Sequence, residues 1–263
     1  MVFTLGIIFF VFGLIIGSFL NVVIIRFKTE RSFNGRSSCM TCSKKLAWYE
    51  LIPLVSFFGL KGRCRTCKTK ISIQYPIVEL ISGLFFTLIF LKFQDIFYIN
   101  TIGFSISYAY YTTMFSILLV IAVYDFKHKI IPDILSLVVG IFAFFGLFFF
   151  QDYLFIPHIP KILEFLSGIF LALPFAFFWL VSKGTWMGLG DAKLALGLGW
   201  LLGFTHLLSG TVVAFWLGAI VGLILIIFSK KYGIKSEIPF APFLVLGMFI
   251  AFLFELQLFH FSF

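Results

Sequence analysis

The chain has 263 residues, of which 61% are hydrophobic and 12% charged, with 40 Phe and a formal charge of +9. A soluble domain is nearer 45–50% apolar and about 25% charged; with a mean hydropathy of +1.11, this composition excludes a soluble globule, a disordered chain, a collagen-like repeat and a disulfide-stapled secreted domain. The positive charge is concentrated, with 11 of the 20 Lys and Arg between Arg26 and Lys70 against only Glu30 and Glu50, a distribution that argues for a membrane-flanking segment and against nucleic acid.

A hydrocarbon core takes about 20 apolar residues per helix. The first apolar run, at roughly 3–25, exceeds a signal-peptide core, has no Lys or Arg before it and is followed at once by basic residues, so it is expected to stay in the chain as a transmembrane helix. A polar segment over 26–76 follows and holds all four cysteines, as Cys39-Met-Thr-Cys42 and, after 21 intervening residues, Cys64-Arg-Thr-Cys67. Two Cys-x-x-Cys knuckles at this separation suit a closed, tetrahedral four-thiolate zinc site, structural because it leaves no position for water or substrate. Two disulfides are the alternative, which a reducing cytosol opposes. The segment is expected to be a small β-rich cytosolic insertion held by the metal.

Seven more apolar segments follow, at roughly 77–93, 101–123, 130–150, 161–181, 192–205, 207–228 and 240–259. The expected organisation is therefore a first helix over 1–25, the four-Cys segment over 26–76 and a seven-helix membrane domain over 77–263. The sixth run is short, and Pro174 is expected to kink the fifth. With the cysteine segment inside and the N-terminus outside, the inner loops take Lys127, Lys129, Lys183, Lys193, Lys230, Lys231 and Lys235. That places 18 of the 20 basic residues on one side and leaves Lys92 and Lys161 outside with Asp95, Asp152, Glu164 and Glu255. An odd number of spans would destroy this segregation.

Carboxylates beside apolar spans are expensive and mark function. Asp125 follows Tyr124 at the inner end of the third span, and Asp191, in Gly188-Leu189-Gly190-Asp191-Ala192-Lys193, opens the sixth. The same topology puts both at one depth on the cytosolic face, although they are 66 positions apart in sequence. Two carboxylates brought within a few Å hold one proton between them. One then deprotonates a water while the other protonates the amide oxygen, which is aspartic-protease chemistry. Gly188 and Gly190, lacking Cβ atoms, would let a substrate backbone come close to the acid. Taken singly, Asp191 reads as a helix N-cap and Asp125 as an interfacial charge beside Lys127 and Lys129. Asp133, after Pro132, reads as a cap of the fourth span, and His128 as an interfacial polar residue.

These residues in this order closely resemble the bacterial prepilin peptidases. The resemblance runs over nearly the whole chain. It rests on Gly17-Ser18-Phe19-Leu20-Asn21-Val22, both cysteine knuckles, Trp48-Tyr49-Glu50-Leu51-Ile52-Pro53, Tyr75-Pro76-Ile77-Val78-Glu79-Leu80, the segment from Asp125 to Asp133, Met187 to Leu194, and Pro239-Phe240-Ala241-Pro242-Phe243. Met40, Leu51 and Gln74 depart from the family's usual Pro, Asn and Arg. The resemblance implies an all-α polytopic protease of the bacterial inner membrane. It would cut the basic leader from type IV prepilins or type II secretion pseudopilins at the cytosolic face, with Asp125 and Asp191 at the catalytic positions. Members with the four-Cys loop commonly also N-methylate the new N-terminus with S-adenosylmethionine. Glu50 and Glu79 could serve that reaction, although salt bridges to the nearby Lys and Arg are the expected use. The rival readings are a presenilin-type intramembrane protease, a proton-coupled transporter using the two Asp residues, and a scaffold in which the acids are only caps.

Overall fold

The computed structural model describes residues 2–29, 35–228, 233 and 236–258; Glu30, Lys230, Lys231 and Lys235 lie outside them. Helices form over all eight apolar segments, and five of these are long and apolar enough to cross a membrane. The chain divides into two compact units, Met1–Tyr98 and Ile99–Phe263.

The first unit contains the helices α1 (Val2–Arg26) and α3 (Gln74–Ile99), with the short α2 (Val55–Gly59) and a 3-10 turn (Trp48–Leu51) between them. α1 and α3 meet along an antiparallel seam whose rungs recur every four residues. A Cβ on Gly13 would lie 2.8 Å from the Gly83 backbone, and one on Gly17 would lie 2.7 Å from Cα of Glu79. Ser82 Oγ donates to the Gly13 carbonyl at 2.7 Å, and Asn21 Nδ2 donates to the Tyr75 carbonyl at 3.1 Å. Small residues and interhelical polar contacts are what join helices where lipid removes the hydrophobic drive between them. Among the described residues the cysteine segment has no strand: each knuckle is closed by a single bridge, Ser38 with Lys45 and Arg63 with Lys70. This corrects the β-rich expectation. Each tight turn carries its two thiols by itself, and the residues between the knuckles go into helical turns.

The second unit comprises α4 (Thr101–His128), α5 (Asp133–Phe149), a two-residue hairpin β1 (Phe150–Gln151) and β2 (Leu154–Phe155), α6 (Ile162–Ser182), α7 (Leu189–Leu202), α8 (Phe204–Phe228) and α9 (Ala241–Phe254). The helix α6 runs through Pro174. The short α7 lies against α5, α6, α8 and α9, and its core-facing side is built of Ala, Leu and Gly. α7 ends earlier than the apolar run suggests, because Gly203 adopts φ +73 and turns the chain directly into α8. Only a residue without a Cβ takes that conformation easily.

Candidate functional site

Asp125 occupies the last turn of α4 and Asp191 the first turn of α7. Both are buried, with 5% and 8% of their surface exposed. The N-cap of α7 is Gly188, and Asp191 stands three residues on, its carboxyl reaching back to the Gly188 amide and its own. Asp125 is covered, and its Oδ2 accepts the Ala241 N–H at 3.3 Å from the start of α9. The two acids are close enough to act on each other's charge. Asp191, which precedes the apolar run of α7, is pushed up to about 6, first by burial and then by the Asp125 charge, with the Gly188 amide and its own acting in the opposite direction. An acid that keeps its proton near neutrality beside a second carboxylate is a signature of acid–base chemistry.

The turn between α4 and α5 and the start of α5 are fastened to the N-terminal end of α7 at two points. Lys193 Nζ donates to Asp133 Oδ1 at 2.8 Å, and a Cβ on Gly190 would lie 2.9 Å from Cβ of Ile131. Asp133 is thus an ion-pair partner in the first turn of α5, whose N-cap is Pro132 with no side-chain cap bond. Gly190 is close-packed on Ile131, whereas a Cβ on Gly188 would find Asp191 Oδ2 at 3.7 Å. Nearby, the His128 ring lies 4.4 Å from that of Tyr124, and Lys129 reaches Glu237 at 3.9 Å.

In the first unit, the sulfur atoms of Cys39, Cys42, Cys64 and Cys67 all lie within 4.8 Å of one another. The four cysteines are free, and Cys39 Sγ is 3.7 Å from Cys67 Sγ. A tetrahedron with metal–sulfur bonds of about 2.3 Å has sulfur–sulfur edges of about 3.8 Å, so the donor set fits a four-thiolate metal ion. The Thr69 hydroxyl, and then its amide, pull the Cys67 thiol down to about 6, toward the thiolate a metal requires.

Glu50 and Glu79 are held by backbone amides. Glu50 Oε2 accepts the Ala47 N–H and Glu79 Oε2 the Leu54 N–H, each at 2.8 Å. The expected bridges to Lys and Arg give way to these amides because the turns that begin at Ala47 and Leu54 leave N–H groups without a helical acceptor. The link from Ala241 to Asp125 was missed in the sequence. Its one signal was a Pro-x-x-Pro turn before an apolar run, which names no partner.

Residues 11–93 match the bacterial peptidase A24 N-terminal domain and residues 112–227 the type IV leader peptidase family. The first match contains the four cysteines and the second contains both aspartates. Proteins named prepilin leader peptidase/N-methyltransferase are similar to the chain over most of its length. That of Myxococcus xanthus is 34% identical over 87% of this chain and 65% of its own. That of Aeromonas salmonicida is 31% identical over 93% and 89%, and that of Neisseria gonorrhoeae 32% over 81% and 78%. The chain therefore spans slightly less than two thirds of the Myxococcus relative and most of the other two. No solved structure shows a significant match.

Proposed function

The chain belongs to the type IV leader peptidase family, and from that premise we propose that it is a membrane aspartic endopeptidase that removes the basic leader from type IV prepilins or pseudopilins and then N-methylates the new N-terminus. The observation that carries the hydrolytic part is the pair of buried carboxylates, one in the last turn of α4 and one in the first turn of α7, close enough for each to act on the other's charge. In this reading one carboxylate draws a proton from water, the oxygen attacks the scissile carbonyl carbon, and the other acid protonates the carbonyl oxygen. Collapse of the tetrahedral intermediate breaks the C–N bond, and the proton taken from water passes to the leaving amine.

The charge distribution supports a bacterial inner-membrane protein with eight spans, its N-terminus outside and the cysteine segment and aspartates facing the cytosol. There a prepilin's basic leader meets its apolar helix, so cleavage requires no unwinding within lipid. Cys39, Cys42, Cys64 and Cys67 would hold structural zinc, which would fold the 26–76 segment as a module of its own and supply no open coordination position. S-adenosylmethionine would supply the electrophilic methyl group of the second reaction. The Oε2 atoms of Glu50 and Glu79 are engaged by the Ala47 and Leu54 amides.

The test is to incubate the purified protein with a prepilin in detergent and weigh the products. Loss of the leader without added donor, and a product one methyl group heavier with it, are expected. An uncut prepilin would overturn the peptidase reading. A cut product that never gains mass would overturn the methyl transfer alone.

A further inference from the structure

The segment Pro239–Pro242 has so far contributed one contact, and its construction explains why that contact exists. A helix start leaves its first N–H groups without helical acceptors. In α9, Pro242 has no N–H, while the Phe243 and Leu244 amides turn back to the Phe240 carbonyl at 3.0 Å. The Ala241 N–H instead meets Asp125 Oδ2, buried and 3.3 Å away, across 116 positions of sequence. The positive end of the α9 dipole is thereby directed at Asp125, and both the amide and the dipole favour a carboxylate there.

Resting on the aspartic reading above, we infer that α9, through the Ala241 amide, divides the labour of the pair: Asp125 is the ionised base that takes the proton from water, and Asp191 carries the shared proton and delivers it to the scissile carbonyl. Water's O–H bond breaks toward Asp125 as its oxygen bonds to carbon. Asp191 gives up its proton to the carbonyl oxygen. When the C–N bond breaks, Asp125 returns its proton to the amine and Asp191 recovers its own from the collapsing hydroxyl. Ala241 touches no reacting atom and is a positioning residue.

Most of the other charged groups described at this end of the unit have partners of their own. Lys193 of α7 is paired with Asp133 of α5, and Lys129 with Glu237. His128 of α4 lies on Tyr124. Lys127, in the last turn of α4, and Lys183, at the end of α6, are the remaining cations among the described residues here. A cation near Asp125 would favour the same ionised form.

The experiment replaces Ala241 with lactic acid by nonsense suppression, which keeps the methyl group, puts an ester oxygen in place of the N–H and also weakens the Phe240 carbonyl as the acceptor of the Phe243 and Leu244 amides. The pH profile of kcat/KM for prepilin cleavage is then compared with wild type. The acid limb is expected to move up by about one pH unit, a tenfold loss on that side, with the alkaline limb unchanged. An acid limb that stays in place, or two limbs that move together, would overturn the assignment. A second measurement does not depend on the ester variant folding. Infrared spectra at about pH 5 should show a protonated-carboxyl band in wild type that Asp191→Asn removes, and a band that survives this substitution would reverse the roles. Normal cleavage by Asp125→Asn would instead refute the aspartic reading itself, so the two failures are distinguishable.

Discussion

Gly190→Ala adds one methyl group at the point where α7 meets the segment between α4 and α5. The new Cβ would lie 2.9 Å from Cβ of Ile131 and 3.5 Å from its Cγ1 and Cδ1. Carbon atoms settle at about 3.5–4.0 Å, so the first turn of α7 must withdraw by about 0.6–1 Å. Ala improves helix propensity by up to about 1 kcal/mol, and overpacking costs about 1–3 kcal/mol, leaving a modest net loss of stability. The effect on rate is expected to be much larger. Asp191 is the next residue, and a displacement of about 1 Å in a catalytic group costs about 100-fold. Cleavage of a prepilin should therefore fall by roughly 10- to 100-fold while the melting temperature changes little. The double variant Gly190→Ala/Ile131→Gly, which removes the opposing Cβ, should recover at least about tenfold, a coupling typical of residues in contact. If Gly190 is instead needed for substrate approach, opening space at Ile131 will not rescue it. Wild-type cleavage by Gly190→Ala, or an unrescued double variant, would refute the packing argument.

Removing the metal should affect the first unit: wild-type protein is expected to carry one zinc per chain, which Cys42→Ser should lose along with hydrogen-exchange protection over 37–72, whereas retained zinc would exclude a four-thiolate site. Gly17→Leu should lower the melting temperature, because its Cβ would stand 2.7 Å from Cα of Glu79 and separate α1 from α3; an unchanged melt would contradict that seam. Asp191 holds its proton to about 6 when folded against an ordinary 3.8, so the folded chain binds that proton more tightly than the unfolded one. The resulting stability is complete below about pH 4 and is lost as pH rises through about 6, so the melting temperature should fall across that window and Asp191→Asn should flatten the fall.

Much of this architecture was legible because a bilayer leaves few alternatives. Each long apolar run had to become a helix, and the Cys-x-x-Cys pairs needed only local turns to present their thiols. Asp125 and Asp191 stood out because acids beside apolar helices are rare. Interactions between distant side chains and backbone were not legible. Nothing in the spacing of Pro239–Pro242 indicates that its lone helix-start amide meets Asp125, and the preference of Glu50 and Glu79 for amides over Lys and Arg depends on turns the composition does not specify. The end of α7 depended on a single glycine, Gly203, within a run that is apolar on both sides.

The measurement that bears most directly on the central claim is the rate of prepilin cleavage by wild type, Asp125→Asn and Asp191→Asn, with each variant's folding checked by its melting curve. Both variants are expected to fold and to lose cleavage by at least about 1,000-fold, since neither remaining acid can both take a proton from water and give one to the carbonyl. A folded Asn variant at either position that cuts at the wild-type rate would contradict the paired-aspartate mechanism.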